Sequence, residues 1–209
     1  MDYITSVFLL LLILIAVMLT FHRKKILLVI QAIFSQRYFF LLTREGKIFS
    51  ERFYILSLSI VFLSFSLFCY TLIDYFFPAS LFLPSPFFLF VFSMIFIVAN
   101  FVLHLLFFHF FFYLFDYQKD SYYFNLYQFF FLIVNSLIFF PVLLSYYYIP
   151  LKIILPIYFS IFLFFYFFIH LKIFTLKTTE INLFYFFIYF CTFEILPYLI
   201  IVKWVKLLI

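Results

Sequence analysis

Glycine is almost missing from this sequence: Gly46 is the single one in 209 residues. Phosphate-cradling loops, dinucleotide-binding turns and the strained elbow of serine hydrolases all need glycine, because the backbone there takes positive φ or closely approaches a ligand. None of them can be built here, and neither can a GxxxG helix contact. Cysteine is scarce as well. Cys69 and Cys191 both fall inside apolar stretches, with no Cys-x-x-Cys pair and no Cys/His cluster at zinc spacing. They read as small packing residues. Charge is the third shortage. Only 10% of residues are Asp, Glu, Lys or Arg, against about a quarter in a soluble domain. No hydrophilic stretch is long enough for a separate soluble domain, so residues 1–209 read as a single membrane domain.

Apolar surface is what the chain has in excess. Hydrophobic residues make up 70% of it, including 43 Phe and 18 Tyr. A water-soluble fold could not cover so much apolar area, and exposed patches of that size aggregate. Lipid removes the problem. The Phe runs are lipid-facing and packing bulk rather than a cofactor box. The expected fold is all-α: a polytopic helical membrane bundle of about six transmembrane helices, plus a cytoplasmic interfacial helical segment.

The spans are placed by length and punctuation. A helix needs about 20 apolar residues to cross the hydrocarbon core. The first span is 4–21, and the basic cluster His22-Arg23-Lys24-Lys25 follows it directly. A cleaved signal peptide has its charge before the apolar run, so this segment is an uncleaved anchor with its N-terminus outside. Residues 26–34 are apolar but too short to cross. Arg37, Arg44, Lys47 and Arg52 then punctuate the chain, so 22–52 reads as one or two short amphipathic helices along the cytoplasmic interface, with Gly46 at a helix end or turn. The remaining spans are 53–76, 87–115, 123–147, 151–173 and 181–202. Pro78, Pro84 and Pro86 mark the first outer loop, and Asp116 to Ser121 a short polar one. In the second span Ser57, Ser64 and Thr71 recur at heptad spacing, as do Ser59 and Ser66, which gives that helix a small-residue side suited to close contact with a neighbour. Six spans put the 22–52 cations, Lys119, Lys172 and Lys177 inside, and Lys152, Lys203 and Lys206 outside, as the positive-inside rule asks. Five or seven spans would bring Lys203 and Lys206 inside too.

Polar side chains deep in a span are costly and are functional candidates. Glu194 lies near the middle of the sixth span. Pro197, three residues on, frees the carbonyl of Phe193 and kinks the helix. An acid beside a freed carbonyl suits a proton, cation or headgroup site; a protonated Glu194 bonded to a neighbouring helix is the structural alternative. Asn100 and His104 share a face of the third span, and Asn135 and Gln128 a face of the fourth. These are either interhelical hydrogen-bonding groups or, for Asn100 and His104, partners of Glu194. His104 and His109 do not share a face and no HExxH occurs, so no metal or cofactor is expected. The basic segment, with Arg23, Lys24, Lys25, Arg37, Arg44 and Arg52, suits anionic headgroups or a membrane-protein partner. Its charges are too few and too close to the bilayer for nucleic acid.

Residues 35–46, which read SQRYFFLLTREG and continue through Glu51-Arg52 into the second span, and residues 189–197, which read YFCTFEILP with Lys203 beyond, together resemble a known family. It is a domain-of-unknown-function group of Bacteroidota multi-span inner-membrane proteins. The resemblance covers nearly the whole chain. It implies a bacterial inner membrane and an N-out multi-span protein, and it implies no activity. Arg44, Glu45, Gly46, Arg52, Glu194 and Pro197 carry it.

Three functions are expected in turn. The first is a non-enzymatic subunit or assembly factor, motivated by the lack of a catalytic constellation and by the basic segment. The second is a small proton-coupled transporter using Glu194 with His104 and Asn100. The third is a membrane enzyme acting on a lipid-linked substrate.

Overall fold

The computed structural model describes residues 2–44, 51–76, 86–114, 118–148 and 154–174. These fall into seven helices with no strand among them: α1 (Asp2–Phe21), α2 (Arg23–Phe34), α3 (Gln36–Arg44), α4 (Glu51–Phe76), α5 (Pro86–Leu114), α6 (Gln118–Tyr148) and α7 (Ile154–Phe174). Four are long and apolar enough to cross a membrane, over Ile4–Phe21, Arg52–Tyr75, Phe87–Leu106 and Asn125–Tyr148. They coincide with the first four expected spans. The fifth expected span falls on α7, which is apolar over Ile154–Phe168 among the described residues. The sixth, 181–202, lies outside the described residues, as does Gly46.

The helix boundaries have local causes. α5 starts on Pro86, whose missing N–H costs nothing at a first helical position. α6 starts at Gln118, so the stretch expected as a polar loop up to Ser121 is largely the first turn of a helix. Hydropathy marks where lipid would end, and a helix can run on past that point. α6 also runs through Pro141, which cannot bond the Leu137 carbonyl. One turn later Ser145 Oγ donates to the Pro141 carbonyl at 2.8 Å.

The expected interfacial segment forms two short helices. His22 breaks α1 from α2 with φ −126° and ψ 23°, and Ser35 breaks α2 from α3 in an extended conformation. The Ser35 N–H still reaches the Gln31 carbonyl at 2.9 Å. Another carbonyl of the last turn of α2, that of Ile33, accepts from the buried Tyr127 hydroxyl of α6. The bond ties the end of α2 to α6. Tyr127→Phe removes that donor. The expected cost is about 1 kcal/mol, read as a lower denaturation midpoint, with faster amide exchange at 35–39. An unchanged midpoint would show that the carbonyl finds another donor.

Backbone packing groups the chain into two compact units, Met1–Ala99 with Leu126–Leu163 and Asn100–Asn125 with Phe164–Ile209. In the first, α4 is central. Ser57, Ser64 and Thr71 have no exposed surface, so the heptad of small residues is a buried stripe. Phe53, on the same face, meets the His22 ring at 5.3 Å, where α1 gives way to α2. That face is therefore turned toward α1, and the Cα atoms of α1 and α4 approach within 8 Å. Small side chains permit such an approach. On another side, the hydroxyl of buried Ser93 on α5 lies 3.1 Å from the Ser66 carbonyl and 2.7 Å from that of Phe90. At Phe68 the small-residue face, and at Phe65 the flank beside it, enter an aromatic core with α6 and α7, in which the Phe68 and Phe139 rings stack at 4.3 Å.

In the second unit the described residues are the C-terminal half of α5, the opening turns of α6 and the end of α7. Its described side chains on α5 are mostly exposed and apolar, with Val102, Leu103, Leu106 and Phe110 each about half exposed or more. A surface of this kind is compatible with lipid as its solvent.

Candidate functional site

Two groups of polar side chains stand out among the described residues. One is a basic corner. Lys25 Nζ lies 5.5 Å from the centroid of the Phe53 ring, a cation–π distance, and His22 packs edge-on against the same ring. Arg52 precedes Phe53 and is exposed, as are Arg23, Lys24 and Arg37. Arg44 is the last residue of α3. The corner thus gathers the end of α1 and the starts of α2 and α4, with Arg23, Lys24 and Arg52 turned outward.

Partial burial, and then the Lys25 ammonium, hold His22 below the usual imidazole range. A depressed value means that the folded protein resists a proton the unfolded chain accepts. The stability contributed by neutral His22 is present above pH 6.5 and declines as the pH falls through the folded value. The ring signals of His22 are expected to titrate below those of an exposed histidine, and Lys25→Gln to move them upward. A midpoint unmoved by Lys25→Gln would remove the ammonium from the explanation.

The second group is buried. Asn135, Gln128 and Ser136 of α6 are all buried, so the shared side of Asn135 and Gln128 faces inward. Asn135 Nδ2 donates to the Phe131 carbonyl at 2.8 Å, and its Oδ1 accepts from the Tyr158 hydroxyl of α7 at 3.4 Å. Ser57, Ser66, Thr71 and Ser136 each donate to a carbonyl of their own helix. Sequence reasoning missed Tyr158. Its signal was a tyrosine well inside an apolar run instead of at its end, where interfacial tyrosines gather.

Asn100 and His104 lie one turn apart on α5, half-buried, and His109 is exposed. They belong to the second unit, whereas Asn135 belongs to the first. Glu194 and Pro197 lie outside the described residues. Among the described residues no three His, Cys, Asp or Glu side chains gather at metal-binding distance. A groove of about 580 Å³ runs along α1, lined by Thr5, Ser6, Leu9, Leu10, Ile13 and Leu14. Its walls are mostly apolar, with Thr5 and Ser6 at one end.

Comparison with curated proteins and with solved structures finds none that matches. A family model described as "Domain of unknown function (DUF4271)" matches residues 4–205, almost the full length, and the chain belongs to that family.

Proposed function

We propose that this protein is a non-enzymatic, multi-pass subunit or assembly factor of the bacterial inner membrane. It forms one membrane domain of about six spans, with its N-terminus outside and the α2–α3 segment on the cytoplasmic side. A Bacteroidota inner membrane is the setting the family resemblance implies. It works through contact with another membrane protein and not by turning over a substrate. The observation that supports this reading is how the buried polar groups are used. Ser57, Ser66, Thr71, Asn135 and Ser136 all bond to carbonyls of their own helices, and Asn135 and Tyr158 join α6 to α7. These bonds orient helices, and they leave no converging set of polar atoms aimed at a ligand among them.

Cross-linking in membranes followed by native purification tests the reading. A specific partner recovered in stoichiometric amount supports it. A strictly monomeric protein without a partner counts heavily against it, and if Glu194→Gln then also fails to complement a deletion strain, proton-coupled transport takes its place.

A further inference from the structure

We propose that α2 and α3 lie in the plane of the bilayer and bind anionic phospholipid headgroups through Arg23, Lys24, Arg37 and Arg52, with Leu27, Ile30 and Phe34 in the acyl region. The proposal rests on reading α1 and α4 as membrane spans and goes beyond it by naming the ligand.

Depth comes first. The apolar stretch of α1 has 18 residues and ends at Phe21. At 1.5 Å each they cover about 27 Å, close to the ~30 Å of a hydrocarbon core. The chain has reached the bilayer surface where α2 begins, and the 12 residues of α2 are too few to cross back. The apolar stretch of α4 begins at Arg52. His22, Lys25 and Phe53 are in contact there, so both spans end at one level. Arg23, Lys24 and Arg52 therefore sit at headgroup depth.

Amphipathy comes second. α2 has two apolar sides. Ile26, Val29, Ala32 and Ile33 are buried against the protein, but Leu27, Ile30 and Phe34 are 49%, 37% and 72% exposed. Their spacing of three and four residues makes one stripe, and Arg23 stands at its end. α3 repeats the pattern: Phe39 and Leu42 are buried, Tyr38 and Leu41 exposed, and Gln36 and Arg37 exposed in the first turn, with Arg37 one turn before Leu41. An apolar flank beside a row of cations is the signature of a helix lying in the interface. A soluble acidic partner would leave the stripe uncovered.

Charge comes third and selects the lipid. The first turn of α2 carries Arg23, Lys24 and Lys25, no acid and no side-chain cap. Cations at a helix N-terminus oppose the dipole, so α2 opens under electrostatic strain that an anion relieves. A zwitterionic headgroup brings its own cation and compensates less well.

The test uses the full-length protein in detergent, titrated with phosphatidylglycerol, phosphatidylcholine or inorganic phosphate. Bound lipid is read by native mass spectrometry and unfolding by circular dichroism. Phosphatidylglycerol is expected to bind about tenfold or more tightly than phosphatidylcholine, and phosphate not to displace it. The combined variant R23Q/K24Q/R37Q/R52Q is expected to lose that preference, each cation contributing up to about fivefold, while R23K/R37K/R52K keeps it. If the combined glutamine variant loses helix content, the single variants R23Q, K24Q and R37Q are titrated instead, each with a loss of up to about fivefold expected. Equal binding of the two lipids, a preference that survives neutralisation, or displacement by phosphate overturns the proposal. A chain that stays dispersed without detergent overturns the membrane reading instead, so the two failures are distinct.

Discussion

Ser64→Leu is expected to loosen α1 from α4 at a cost of about 1–3 kcal/mol, the range for forcing bulk into a packed interior, whereas Ser64→Ala is expected to stabilise the protein by about 1 kcal/mol. The opposite signs follow from two facts about one side chain. Ser64 has no exposed surface and lies on the face of α4 that continues from Phe53 toward α1. Among the described residues its Oγ has no hydrogen-bond partner. Alanine keeps the close approach and removes a stranded hydroxyl; leucine adds three carbon atoms where none fit. Ser57, equally buried, donates to the Phe53 carbonyl at 2.7 Å, so Ser57→Ala is a control with little gain. The folded fraction in bicelles, followed through an SDS titration, measures all three. A stabilising leucine would mean that the stripe lines a void and not a tight contact.

Phe139→Ala carries the second large effect. Phe139 is fully buried and its ring meets Phe68 at 4.3 Å, Phe65 at 4.6 Å, Tyr158 at 5.3 Å and Phe162 at 5.6 Å. One side chain thus joins α4, α6 and α7. In a soluble protein Phe→Ala costs about 3–5 kcal/mol, part of it the transfer of the ring from water. In lipid that part drops out, because acyl chains are as apolar as the core. The cavity term remains: roughly 100 Å³ at about 24 cal/mol per Å³ gives about 2 kcal/mol, and the lost ring pairs together add about 0.5–1.5 kcal/mol once the neighbouring rings relax onto one another. A total of about 2–4 kcal/mol is expected in the same titration, with Phe139→Leu at about 1 kcal/mol. Phe92→Ala, on a side chain 56% exposed, is expected to change nothing measurable. Equal losses at Phe92 and Phe139 would sink the assignment of a core.

Those two phenylalanines also show where the sequence stops informing. Residues 53–76 and 87–115 were readable as helices because a long apolar run satisfies its own backbone in lipid and needs no partner to do so. α4 and α5 follow them almost to the residue. The inward side of α4 was readable for a different reason: Ser57, Ser64 and Thr71 differ in size from their neighbours, and a spacing of seven returns them to one face. Phe92 and Phe139 do not differ. Lipid and protein interior are equally apolar, so nothing in the letters separates a ring that faces acyl chains from one at the centre of the core. That blindness is confined to apolar side chains. It did not extend to α2 and α3, where Arg23, Lys24 and Arg37 contrast with the residues around them. Of the polar residues singled out beforehand, Asn135 acquires a role in joining α6 to α7, Asn100 and His104 keep their shared face of α5, and Glu194 with Pro197 lies outside the described residues.

The serines and threonine of α4 bear on how the protein is made. Ser57, Ser66 and Thr71 donate to carbonyls one turn back in the same helix, bonds that do not wait for α6 or α7. As a membrane span, α4 would enter the bilayer before α5, α6 and α7 have been synthesised. Side chains that carry their own acceptors let it stay there without drawing in water or a chaperone. Ser64 is the exception, and its hydroxyl gives the newborn helix a polar point that only assembly hides.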